Sequence, residues 1–222
     1  MLRDLARLVD WHIARLGNWR PAYAEVWFGA PRGVKVSPVG SREQIALDGP
    51  HGPVRLRGRI DRIDLATGDA PGYQVIDYKS GTLAPGETDM ALGTSFQLPV
   101  YLWAAEALLA PSERGSEARA FFLPVRKPAE KGLLQAKPTP KHPEGTLGLA
   151  LERARRYIAN FVEAMREGVF PVWPRDGCPK YCDFQGICRF AEWRLRRKWE
   201  AHPIAELEPI GDAAGGEEED ET

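Results

Sequence analysis

Two strand-like runs carry charge where a buried strand should be apolar. "VRLRGRIDRIDL", residues 54–65, and "QVIDYKSG", residues 74–81, flank the turn-rich "ATGDAPG". Seven connecting residues are too few for a parallel crossover, so the runs are expected as antiparallel neighbours. Gly58 inside the first run predicts a bend or a close approach. Side chains alternate along a strand, so Asp77 and Lys79 share a face with Val75, while Ile76 and Tyr78 take the other. An aspartate of the first run then lies beside Asp77. Two adjacent carboxylates repel unless a cation sits between them, and hard oxygen donors suit Mg²⁺ or Mn²⁺. A lysine next to such a pair can stabilise charge on a phosphate. The plainer alternative is a cross-strand salt bridge of Lys79 with Asp61 on an exposed sheet face.

The rest of the chain supplies a mixed α/β framework. Residues 1–16 read as a helix with Leu2, Leu5, Leu8, Val9, Ile13 and Leu16 on one stripe. "AYAEVWFG" reads as a strand bearing Glu25, and residues 33–47 as a loose hairpin. Residues 94–110 form a strong helix, with Pro99 tolerable near its start. Gln97 and Tyr101 are four apart and share a face of it. "ARAFFLPVR" is another strand, 127–145 a mobile loop or hairpin, and 146–167 a second long helix. A basic helix, "FAEWRLRRKWE", follows the cysteines, and Arg194, Arg196, Arg197 and Lys198 are candidate DNA contacts. From about residue 203 the Pro, Gly and acidic composition predicts disorder. Neither a Walker A sequence nor a dinucleotide fingerprint occurs.

The net charge of −1 hides an asymmetry. Residues 200–222 hold nine acidic residues and no Lys or Arg, leaving 22 acidic against 30 basic residues in 1–199. A basic body points to a polyanion, while the acidic tail reads as a solvated appendage. No run approaches the roughly 18 apolar residues of a membrane span, and no signal peptide opens the chain, so a cytoplasmic protein is expected. Three cysteines fall in "CPKYCDFQGIC" as Cys178, Cys182 and Cys188, and their odd number argues for metal ligation over disulfides. Thiolates at this spacing suit zinc or an iron–sulfur cluster.

Glu25, then G-x-I-D at 58–61, then I-D-Y-K-S at 76–80, then Q-x-x-x-Y at 97–101 form an ordered set. In that order they resemble the RecB/AddB-type nuclease domain of the PD-(D/E)XK superfamily, over residues 20–105 and again at the cysteines. The resemblance implies a restriction-endonuclease-like α/β core with a mixed central sheet, over residues 1–199, and a Cys-rich clasp at 176–190. It implies Asp61 and Asp77 as metal ligands, joined by the main-chain carbonyl of Tyr78 and by Glu25. Lys79 would be the catalytic lysine, with Gln97 and Tyr101 supporting the site and the DNA strand. Asp64, three residues from Asp61, is expected on the other strand face as a structural acid. The activity implied is Mg²⁺- or Mn²⁺-dependent hydrolysis of DNA, as an exonuclease on single strands or ends in recombinational repair, beside a helicase partner. A catalytically impaired DNA-binding module of a helicase–nuclease complex is the alternative.

The chain departs from that pattern in two places. The late cysteines run C-x3-C-x5-C, where the family has C-x2-C-x5-C, and there is no fourth cysteine. The family's 4Fe–4S cluster therefore lacks one thiolate, leaving a non-Cys ligand (Asp176, Asp183 or a histidine), a ligand in trans, or no cluster. Only His12 precedes Glu25, in a helix where a surface histidine is expected. Both departures suggest a chain that starts partway into the ancestral domain.

Overall fold

The computed structural model describes residues 2–15, 17–49, 52–81, 84–91, 93–140 and 142–169. The Cys segment, the basic helix with Arg194 to Lys198, and the acidic tail lie outside them. The chain divides into two compact units, Met1–Arg155 and Arg156–Thr222.

The first unit is built on a five-stranded mixed sheet. Its strands are β1 (Trp19–Phe28), β4 (Gly58–Ala66), β5 (Gly72–Lys79), β6 (Glu117–Pro124) and β7 (Lys131–Gln135), in spatial order β1-β4-β5-β6-β7. β5 pairs antiparallel with β4 and parallel with β6, and the outer pairings are antiparallel. The expected antiparallel neighbours are therefore present. The parallel β5–β6 step needs a crossover, which carries α2 (Glu87–Ala91) and α3 (Gln97–Leu108). Ile76 and Phe121 lie side by side in that register and pack under Leu8 and Trp11 of α1 (Leu2–Arg15). Val75, Ile63 and Phe122 pack with Leu98, Leu102 and Ala105 of α3 on the main core. The sheet thus lies between α1 and α3. Burial of each such side chain contributes about 1.5–3 kcal/mol.

Pro99 sits in the first turn of α3, where its missing N–H has no helical partner to lose. α3 is apolar nearly all round, as a helix wedged between sheet and neighbouring strands must be.

Three expectations change. The run 54–65 is two strands, because β3 (Val54–Leu56) belongs to a separate two-stranded sheet with β2 (Ile45–Leu47). Residues 33–44 form a loop, so no hairpin closes within 33–47, and β2 pairs instead with β3. Much of the α1 stripe faces outward, with Leu2 82% and Ile13 66% exposed, while its member Leu8 covers the sheet beside Trp11. Of the loop and hairpin alternatives for 127–145, part is a hairpin, with β7 antiparallel to β6. In the second unit, the described part of helix α4 (Leu147–Arg166) stacks Tyr157 on Phe161 at 6.0 Å.

Gly58 opens β4 against the ring of Phe28, and a Cβ there would lie 2.6 Å from Phe28 Cζ. Phe28 is fully buried, so its ring has nowhere to retreat. Gly58→Ala is expected to cost about 1–3 kcal/mol by overpacking, read as a lower urea midpoint with unchanged m-value.

Candidate active site

The β4–β5 ladder ends at Arg62↔Ile76, so the two strands part just where Asp61 and Asp77 sit. The next N–H of β5, that of Tyr78, loses its strand partner. Asp61 replaces it, with Oδ2 accepting from Tyr78 N at 3.0 Å. A buried backbone donor is thereby satisfied by a side chain instead of a ladder carbonyl.

Asp77 is 2% exposed on the α3 face of the central strand. Its Oδ1 accepts from Gln97 Nε2 at 2.6 Å. The same amide nitrogen donates to Tyr101 Oη at 2.9 Å, and Gln97 Oε1 accepts from Lys79 Nζ at 2.6 Å. Only one amide orientation satisfies both an ammonium and a carboxylate, so Gln97 is fixed without ambiguity. Lys79 Nζ also lies 2.7 Å from Asp77 Oδ2 and 4.8 Å above the ring of Phe122. Asp77 Oδ2 is buried and accepts no well-aligned hydrogen bond, so this ammonium is its one close partner among the described residues. Burial pushes the Asp77 carboxyl above the usual carboxylate range. Lys79 opposes this, Asp61 reinforces it, and the Gln97 amide opposes it. Tyr101 is likewise pushed up, first by burial.

The chain therefore keeps a poorly solvated carboxylate oxygen beside a second carboxylate and a lysine. A divalent cation suits this donor set: the Asp77 carboxyl stays pushed upward by burial despite Lys79, and Asp61 supplies a second hard oxygen. Glu25 is not brought to them. Its backbone is in the left-handed region (φ 53), and its carboxylate ion-pairs with Arg59. Among the described residues no three His, Cys, Asp or Glu side chains gather into a metal cluster.

The opposite face of β5 holds a network that sequence reasoning missed. Arg62 makes a two-pronged pair with fully buried Asp64, through Nε at 2.5 Å and Nη2 at 2.9 Å. Gln74 Nε2 donates to the same carboxylate at 2.8 Å. Arg62 Nη1 donates to Tyr78 Oη at 3.0 Å, and His12 Nε2 lies 3.0 Å from that hydroxyl. Asp64 is thus the structural acid expected, and His12 is not a simple surface histidine. The signal available was the i, i+2 spacing of Arg62 and Asp64, which places them on one strand face.

The mixed sheet flanked by helices is a restriction-endonuclease-like fold, and it brings Asp61, Asp77, Lys79, Gln97 and Tyr101 together around one buried carboxylate. The chain belongs to the PD-(D/E)XK nuclease superfamily, whose sequence model matches residues 1–189. Relatives are named as the B-type subunit of an ATP-dependent helicase/deoxyribonuclease. The protein of Desulforudis audaxviator is 38% identical over 122 residues, covering 54% of this chain and 10% of its own length. That of Moorella thermoacetica is 37% identical over 119 residues, covering 52% and 10%. That of Symbiobacterium thermophilum is 40% identical over 119 residues, covering 51% and 10%. The chain thus spans about a tenth of the length of these relatives. Among the described residues no helix is long and apolar enough to cross a membrane.

Burial and then the charge of Arg62 push the His12 imidazole below its ordinary value. A histidine depressed in the folded state favours folding fully above its unfolded pKa of about 6.5 and loses that contribution as pH falls below it. Wild-type protein is therefore expected to lose more stability than His12→Gln between pH 7 and pH 5. Denaturant midpoints at the two pH values read the difference, and parallel losses would contradict it.

Proposed function

We propose that this chain is a divalent-metal-dependent DNA nuclease module that acts with a helicase. The observation that carries this reading is Asp77, a buried carboxylate with one oxygen undonated, locked to Lys79 through Gln97. Asp61, Asp77 and the Tyr78 main-chain carbonyl would hold Mg²⁺ or Mn²⁺, which when bound supplies Lewis-acid stabilisation of the phosphate. Lys79, 26% exposed, presents an ammonium that offsets charge developing on a phosphodiester. Gln97 keeps that ammonium and the Asp77 carboxylate in register, and Tyr101 keeps Gln97 from turning. Tyr78 is held through its N–H on one side and its hydroxyl on the other, so β5 cannot twist the pair apart.

The relatives' name supports a deoxyribonuclease beside an ATP-dependent helicase. Single strands or DNA ends met during recombinational repair are the proposed substrates, and the cytoplasm the proposed location. Cys178, Cys182 and Cys188 are proposed to hold a 4Fe–4S cluster or zinc as a staple. Arg194, Arg196, Arg197 and Lys198 are proposed as DNA contacts.

A second reading has one observation in its favour. Glu25 is engaged by Arg59, leaving two carboxylates at the site among the described residues. On that reading the chain binds DNA and does not cut it. Cleavage of labelled single-stranded and duplex DNA with Mg²⁺ or Mn²⁺ separates the two. Asp77→Ala and Lys79→Ala are expected to lower kcat by at least about 10²-fold, in the range for lost electrostatic stabilisation. Gln97→Ala is expected to cost less, because Lys79 and Asp77 remain. DNA binding without cleavage, unchanged in Asp77→Ala, would leave only the second reading.

A further inference from the structure

We propose that Arg55, Arg57 and Arg59 form a phosphate-binding track that leads a single nucleic-acid strand to the Asp61–Asp77 site; the proposal rests on the nuclease reading for what happens at the end of the track. The three arginines alternate along "VRLRGRID", which ends at Asp61; Arg55 lies in β3, Arg57 in the one-residue link, and Arg59 in β4. Arg55 and Arg57 are exposed, and among the described residues neither makes a hydrogen bond or ion pair. Arg57 is at most about 14 Å of extended chain from Asp61.

Arg59 joins the track to the site. Its guanidinium lies over Trp27, 5.6 Å from the ring centroid, and pairs with Glu25. Its charge also reaches Tyr101, which hydrogen-bonds Gln97. Arg57 packs tightly on the neighbouring strand, because a Cβ on Gly29 would come within 2.7 Å of Arg57 Cβ. Beyond Gly29, the loop carries exposed Arg32 and Lys35 and is braced by Arg42 on the carbonyls of Pro31 and Val34.

The unpaired guanidinium groups of Arg55 and Arg57 favour an anion with repeating charge, and their forked donors suit phosphate. Arg55 and Arg57 are two residues apart, so their Cα atoms lie no more than about 7 Å apart, within reach of neighbouring phosphates on one strand.

The test measures binding of the full chain to a fluorescent 20-mer of deoxythymidine in EDTA, across a range of salt. Each lost phosphate contact on a single strand removes about 0.7 from the slope of log K against log salt. Arg55→Ala/Arg57→Ala is expected to flatten the slope by about 1.4. Arg55→Lys/Arg57→Lys, which keeps both charges, should retain the wild-type slope, and so should the control pair Lys131→Ala/Lys137→Ala, in and just after β7. Circular dichroism checks that each variant is folded. An unchanged slope in the alanine pair overturns the track, as does an equal fall in the lysine control pair. Because EDTA stops cleavage, failure of the nuclease reading appears in the cleavage assay alone and leaves this outcome separate.

Discussion

The site depends on burying one carboxylate in the central strand of the sheet. Asp77 sits between β4 and β6, under α3, at a position where an apolar residue would pack more cheaply. Everything around it offsets that cost in part. Gln97 donates to one oxygen and Lys79 lies against the other, yet the carboxyl remains pushed upward by burial. On the proposed reading a divalent ion supplies the shortfall, the pattern expected when a polar group is kept in a core for function.

The two faces of β5 divide the labour. Towards α3, Gln97 ties Asp77, Lys79 and Tyr101 into one unit. Towards α1, Arg62, Asp64, Gln74 and His12 fix the hydroxyl of Tyr78. Asp61 stands at the fork and bonds the Tyr78 backbone. Residues of both β4 and β5 therefore hold the same two-residue segment from opposite sides. The parting of β4 and β5 beyond Arg62↔Ile76 creates both the opening and the unpaired N–H that Asp61 satisfies.

Much of this was legible in sequence. Period-two alternation and a seven-residue loop placed Asp61 and Asp77 on neighbouring strands, and the i, i+4 spacing put Gln97 and Tyr101 on one helix face. The direction of Glu25 was not legible. It depends on a left-handed backbone at a non-glycine residue, which tertiary packing imposes and no local preference announces. The α1 stripe misled for a related reason. Of the stripe only Leu8 reaches the sheet among the residues that pack on Phe121 and Ile76, joined by Trp11 from outside the stripe, while Leu2, Leu5, Val9 and Ile13 stay exposed; periodicity cannot say which apolar face wins. The split of 54–65 into two sheets falls next to Gly58, which approaches Phe28 closely; the glycine marked the place without saying where each half would go.

The most direct measurement is Mn²⁺ binding by isothermal titration calorimetry to wild-type, Asp61→Asn and Asp77→Asn proteins. Wild-type protein is expected to bind the ion, and either amide substitution to weaken binding by at least about tenfold, with cleavage lost in step. Wild-type affinity retained in Asp77→Asn would contradict this, because the buried oxygen of Asp77 would then have no ion to hold.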